Sequence, residues 1–170
     1  KYQKVFSDKL LSIYFIDNFA GAGLTDWVID DKGEFHYYMI LNSALLTQSL
    51  DAWLTYRENS FFTPDPKATS IRVRTATSYK ALLYGLLHEG GHIVDIEYHI
   101  TPYVEETHKA FIKQKKDVTN FTRDVWLENK KPLPAYDLKN RDKLNIYGIF
   151  NKELIPAAEM ADMFLQLTDT

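Results

Sequence analysis

The 170-residue sequence contains no cysteine, which removes disulfides and thiolate zinc ligands from consideration. It also lacks any apolar run approaching the roughly 18 residues that a membrane-crossing helix needs. Its opening KYQKVFSDKLL has none of the layout of a signal peptide. Lys and Arg number 20 against 23 Asp and Glu, a net charge of −3. No basic cluster is interleaved with aromatics, so a nucleic-acid surface is not indicated. No internal repeat and no low-complexity linker divides the chain. What is present is 45% hydrophobic and 14% aromatic, the composition of a packed globular protein. Because the sequence starts at Lys1 and stops abruptly at LQLTDT, the expectation is one domain over residues 1–170, cut from a longer chain at one or both ends.

Helical apolar spacing predicts a helix over residues 5–20 that exits at Gly21-Ala22-Gly23. WVIDDKGEFHYYMIL (27–41) reads as a β-hairpin turning at Asp31-Lys32-Gly33. Asn42 or Ser43 then caps a helix to about Arg57, with Leu46, Leu50, Trp53 and Leu54 on its buried face. IRVRT (71–75) alternates and predicts a strand with one wet face. Ser78 is the expected N-cap of the next helix. Further helices are expected over residues 103–117, 120–128 and 156–167, the last with Pro156 in its first turn. Strands first and helices later place the chain in the α+β class, with a small N-terminal antiparallel or mixed sheet and a mostly helical second half.

The helix from about residue 78 to 98 carries the chemistry. At 100° per residue, leucines 82, 83, 86 and 87 with Ile93 and Val94 fall on one side, expected to be core. Tyr84, Gly85, His88, His92, Asp95 and His99 fall on the other. His88 and His92, four apart, have Cβ atoms about 5–6 Å apart and can turn their imidazoles onto one ion. Glu89 lies about 100° around the helix, beside such an ion, where a general base belongs. The plain alternative is a helix with two solvated histidines. Against it stand Gly90 and Gly91, which cost about 1 kcal/mol each mid-helix. Gly90 points toward the leucine face, where it permits tight packing.

His88-Glu89-Gly90-Gly91-His92 resembles the HExxH signature of the zincin metallopeptidases. The longer HEGGHIVD is similar to the HExGHxxD of lethal-factor relatives and Pro-Pro endopeptidases. RENSFF and VWLENKKPLPAY resemble stretches of bacterial zinc-binding peptidases and lipoproteins. The resemblance implies a zincin-like fold and a bound Zn2+. It also implies hydrolysis of a peptide or protein substrate by a metal-activated water, with Glu89 as general base. An extracytoplasmic location is favoured over a cytosolic one, though the sequence decides neither. A non-catalytic zincin-like binding or scaffold module is the alternative.

The third ligand is open. Metzincins need a glycine at position 95 and a histidine at position 98, where this chain has Asp95 and Tyr98. His99 falls about 10 Å beyond His92 on a straight helix. A gluzincin takes a glutamate from a later helix, which points first to Glu159, then to Glu153, then to a residue beyond Thr170. Tyr147 resembles the tyrosine that donates to the oxyanion in lethal-factor relatives. Asp95 is a candidate to fix the tautomer of a ligand imidazole. His36 and His108 read as ordinary surface or core histidines, and IRVRT, by analogy with zincins, as the strand along which substrate would extend.

Overall fold

A computed structural model describes residues 2–60, 62–63, 71–103, 109–111, 113–114, 116–128 and 131–137. They form helix α1 (Tyr2–Lys9), strands β1 (Leu10–Ile16), β2 (Gly23–Ile29) and β3 (Phe35–Asn42), helices α2 (Leu50–Asn59) and α3 (Ala81–Tyr98), and a short pair, β4 (Trp126–Glu128) and β5 (Lys131–Pro132). The class is α+β, with two small sheets.

The predicted hairpin is present as β2 and β3, which pair antiparallel from Gly23↔Leu41 to Ile29↔Phe35. Its turn is held by Asp30, whose Oδ1 accepts from the Lys32 and Glu34 amides at 2.9 and 2.8 Å. Gly33 supplies the positive φ, 82°. β3 is the central strand, in the order β1-β3-β2. Its alternation is plain: Tyr37, Met39 and Leu41 are fully buried, while Tyr38 and Ile40 are not. Tyr37, Met39, Val5 and Ile93 make one core cluster, and Leu41, Leu45, Trp53 and Ala81 another. Burial of each large side chain contributes roughly 1.5–3 kcal/mol.

Several expectations need correction. The helix predicted over 5–20 ends at Lys9, and Leu10–Ile16 is a strand parallel to β3, with Ile13 opposite Met39 and Phe15 opposite Leu41. LLSIYFI is apolar almost throughout, so it fits either period, and pairing with a distant strand decides the outcome. The helix expected from Asn42 splits into a 3-10 turn (Ser43–Leu46), capped by the Asn42 side chain, and α2, capped by Ser49.

IRVRT is not a strand. Its backbone is satisfied by side chains of α2 instead: Asn59 bonds both the Ile71 carbonyl (2.7 Å) and amide (3.1 Å), Thr55 accepts from Val73 N–H (3.0 Å), and Asp51 from Thr75 N–H (2.8 Å). The second half is not mostly helical among the described residues. Of the helix expected over 120–128, residues 126–128 are strand β4. The helix expected over 156–167 lies outside the described residues.

α3 is the centre of the packing, touching α1, α2, β2 and β3. Lys80, not Ser78, is its N-cap, without a side-chain cap. The first helical amide is met by the Gln48 carbonyl at 3.0 Å. Its most buried line is Ala81, Gly85, Glu89 and Ile93 rather than the leucines, since Leu83 and Leu87 are exposed. Gly90 does allow close packing, but against α1: a Cβ there would lie 2.1 Å from the Phe6 ring and the Tyr2 hydroxyl. At the far end Tyr37 donates to Glu97 Oε1 at 2.7 Å. Burial, then the Glu97 hydrogen bond, pushes the Tyr37 hydroxyl far above its usual range. Burial and the charges of Glu97 and Asp95 push Tyr103 up to about 12.

Candidate metal centre

Two helical turns of α3 set the site. His88 is half-buried, Glu89 is buried (3% exposed) and His92 is exposed, and their potential ligand atoms all lie within 4.8 Å of one another. The two imidazoles stand perpendicular with centroids 5.0 Å apart, the arrangement that a four-residue spacing on a straight helix produces. Tyr84, one turn earlier, stacks on His88 at 5.6 Å. The guanidinium of Arg57, reaching over from α2, sits 5.7 Å above the Tyr84 ring.

Burial lowers the pKa of His88, and the neighbouring His92 and Arg57 lower it further against the opposing pull of Glu89. The neutral imidazole is the form that can ligate a metal, so this environment favours ligation.

Glu89 owes its position to β2. The Thr25 hydroxyl lies 2.8 Å from Glu89 Oε2 and 3.0 Å from the Glu89 carbonyl, sharing its proton between them. Gly23 lets the strand come this close: a Cβ there would lie 2.8 Å from the Ile40 carbonyl and 3.0 Å from Glu89 Cγ. Among the described residues only Oε2 of this carboxylate is engaged, which leaves Oε1 to meet a water.

The three residues form the floor of a cleft of about 520 Å³. One wall is the loop from Phe19 to Ala22 with the start of β2, and the other is α2 with Trp53, Tyr56 and Arg57. β2 is an edge of its sheet among the described residues, and Gly23, Leu24 and Thr25 at its start line this opening.

The donor set suits a divalent ion: two imidazoles and a carboxylate whose candidate ligand atoms lie within 4.8 Å of one another, all three lining a cleft. Among the described residues no further candidate ligand is grouped with His88, Glu89 and His92, and Glu159, Glu153 and Tyr147 lie outside them. Asp95 does not hold a ligand imidazole. Its carboxylate oxygens accept from Thr101 N–H (2.7 Å) and the Thr101 hydroxyl (2.6 Å), closing the end of α3. His99 is the C-cap in the left-handed region, turned out of the helix. His36 pairs with Asp30 at 3.2 Å, and His108 is outside the described residues.

Sequence reasoning missed Thr25 and Arg57. Neither bears a motif, since each enters the site only through packing of its element against α3. Tyr84 was already visible, on the same helical stripe as His88. Compared with models of known protein families the chain matches none, and no curated protein and no solved structure matches it either.

Proposed function

We propose that this chain is a zinc-dependent peptidase in which His88 and His92 hold the ion and Glu89 is the general base. The observation that carries this reading is the convergence of His88, Glu89 and His92 within 4.8 Å at the floor of an open cleft. A structural zinc site closes around four protein ligands, whereas a catalytic one keeps a position open. Zinc bound here would supply a Lewis acid and bring the pKa of a coordinated water toward about 7.

The chain's own residues do the rest. Glu89 Oε1 accepts the water's proton and hands it to the leaving amine. The Thr25 hydroxyl keeps that carboxylate from rotating away. β2, an edge strand among the described residues, would offer main-chain donors and acceptors to an extended peptide, which makes a polypeptide the natural substrate for this cleft. Glu159 is our candidate for the third ligand, with Glu153 next.

One observation favours the second reading, a metal-holding module without turnover: Glu89 is 3% exposed and hydrogen-bonded to Thr25, as a purely structural carboxylate would be. Glu89→Gln separates the two. On the peptidase reading, metal analysis finds about one zinc per chain in wild type and in Glu89→Gln and none in His88→Ala/His92→Ala, while cleavage falls roughly 10²–10⁴-fold in Glu89→Gln. Undiminished cleavage in Glu89→Gln rejects the mechanism, and zinc retained by the double histidine variant rejects the site. Glu159→Ala is expected to weaken zinc binding more than Glu153→Ala.

A further inference from the structure

We propose that two copies of this chain join through β1, edge to edge and antiparallel, about a two-fold axis that passes beside Ile13.

β1 ends the order β1-β3-β2, so among the described residues one of its edges is bonded to β3 and the other has no strand partner. Exposed edges are commonly blunted by charge, by proline or by a helix laid over them. LLSIYFI has neither charge nor proline, and Leu11 (60%), Ile13 (38%), Tyr14 (54%), Phe15 (44%) and Ile16 (44%) are all exposed. The exposure lies on both faces of the strand: Ile13 and Phe15 share a face with Met39 and Leu41, and Tyr14 shares the other with Ile40. A helix laid on one face would leave the other bare. A strand added at the edge covers both. The irregularity in pairing between Leu10 and Ser12 falls at the start of β1, so Ser12 to Ile16 run evenly beside β3.

The strand is a suitable partner for itself. Centred on Ile13, antiparallel pairing sets Leu10 against Ile16, Leu11 against Phe15 and Ser12 against Tyr14, pairs of the aromatic and aliphatic kind that stabilise neighbouring strands. A two-fold contact places the same surface patch on both sides, so a charge near the axis would meet its own copy. β1 carries none, and the charges that flank it have opposite signs: the end with Lys9 on one copy meets the end with Asp17 on the other. Both already have partners, Lys9 in Glu34 at 2.9 Å and Asp17 in the Ser43 hydroxyl, so they favour this register and add little affinity.

The size is sufficient for a weak dimer. At roughly 200 Å² for a large side chain fully in water, these exposures put on the order of 500 Å² on each copy, about 1,000 Å² over both, where specific interfaces begin. An interface of that size corresponds to a dissociation constant of about 1–100 μM. β1 and the cleft-lining β2 are opposite edges of the sheet, so the dimer leaves both clefts open and does not depend on the peptidase reading.

Sedimentation of the chain between about 1 and 200 μM measures the association, and single cysteines locate it. The sequence has no cysteine, so Ile13→Cys carries one thiol. The axis sets its Cα about 4.5–5.5 Å from that of its copy, within disulfide reach. Wild type should pass from monomer to dimer over that range. Ile13→Cys should cross-link on mild oxidation at least about tenfold more than Val28→Cys, 44% exposed on β2. Tyr14→Lys should weaken the dimer about tenfold or more, with its circular dichroism unchanged. A chain that stays monomeric at about 200 μM, whether bare at β1 or covered there by a segment of its own, overturns the proposal. So does association that continues beyond two copies, or a dimer in which Ile13→Cys cross-links no better than Val28→Cys.

Discussion

On the proposed peptidase reading, Glu89 has to meet two demands that usually conflict: burial in the packing of α3, and the freedom to exchange a proton with a water. Thr25 reconciles them by binding one carboxylate oxygen at 2.8 Å. Thr25→Val, nearly equal in volume, should leave zinc content unchanged and lower kcat with little change in KM, and an unaltered kcat in steady-state kinetics would show that the hydroxyl does not position the base. The neighbouring glycines part company in the same way. Alanine at position 90 meets Phe6 and Tyr2, whereas alanine at position 91 has nothing within 4 Å. Gly90→Ala is expected to cost about 1–3 kcal/mol by overpacking, and Gly91→Ala to stabilise by about 1 kcal/mol through helix propensity. Urea unfolding measures both. At this scale the sequence was informative where local geometry sufficed. His88, Glu89 and His92 depend only on the helical repeat, while Thr25 and Arg57 come from elements whose placement no nearby residue announces.

Helix α3 stays fixed because other elements spend their polar groups on it or beside it. The segment from Ile71 to Thr75 illustrates this. Its alternation mimics a strand, yet Asn59, Thr55 and Asp51 of α2 satisfy its backbone. No sequence pattern distinguishes a backbone bonded by side chains from one bonded by a strand. The hairpin was legible because its turn is closed locally by Asp30 and Gly33. β1 was not, because its partner lies beyond the hairpin. The Asp51 anchor has a pH consequence. Hydrogen bonds from the Thr75 hydroxyl and amide hold the Asp51 carboxylate below its ordinary pKa. A depressed folded-state value contributes stability that is present above the unfolded pKa, about 3.9, and is lost as pH falls through the folded one. Asp51→Asn should therefore lower stability at neutral pH and flatten the loss of stability on acidification. Thermal melts between pH 7 and 3 that are parallel for wild type and variant would contradict this.

Across the whole molecule, the two tyrosines around Glu97 connect α3 to β3 and to the segment after it. Tyr103 ionises only at about 12 in the folded chain, and Tyr37 still later, against about 10 when unfolded. A raised folded-state value means stability that is complete below the unfolded pKa and is lost as pH rises through the folded one. The chain should unfold cooperatively above pH 10, and Tyr37→Phe should move that transition upward by removing one such group. Absorbance of tyrosinate against circular dichroism would show it, and smooth titration of every tyrosine near 10 with no unfolding would refute it. The architecture of the sheet also dictates an order of events in time. Ile29 and Phe35, joined by a five-residue turn, meet early and at little entropic cost, whereas Ile13 must find Met39 across the whole hairpin. The hairpin is thus a template on which β1 docks last. Because α3 rests on both β2 and α1, its seat joins the locally closed hairpin to the helix that leads into the strand with the most distant partner.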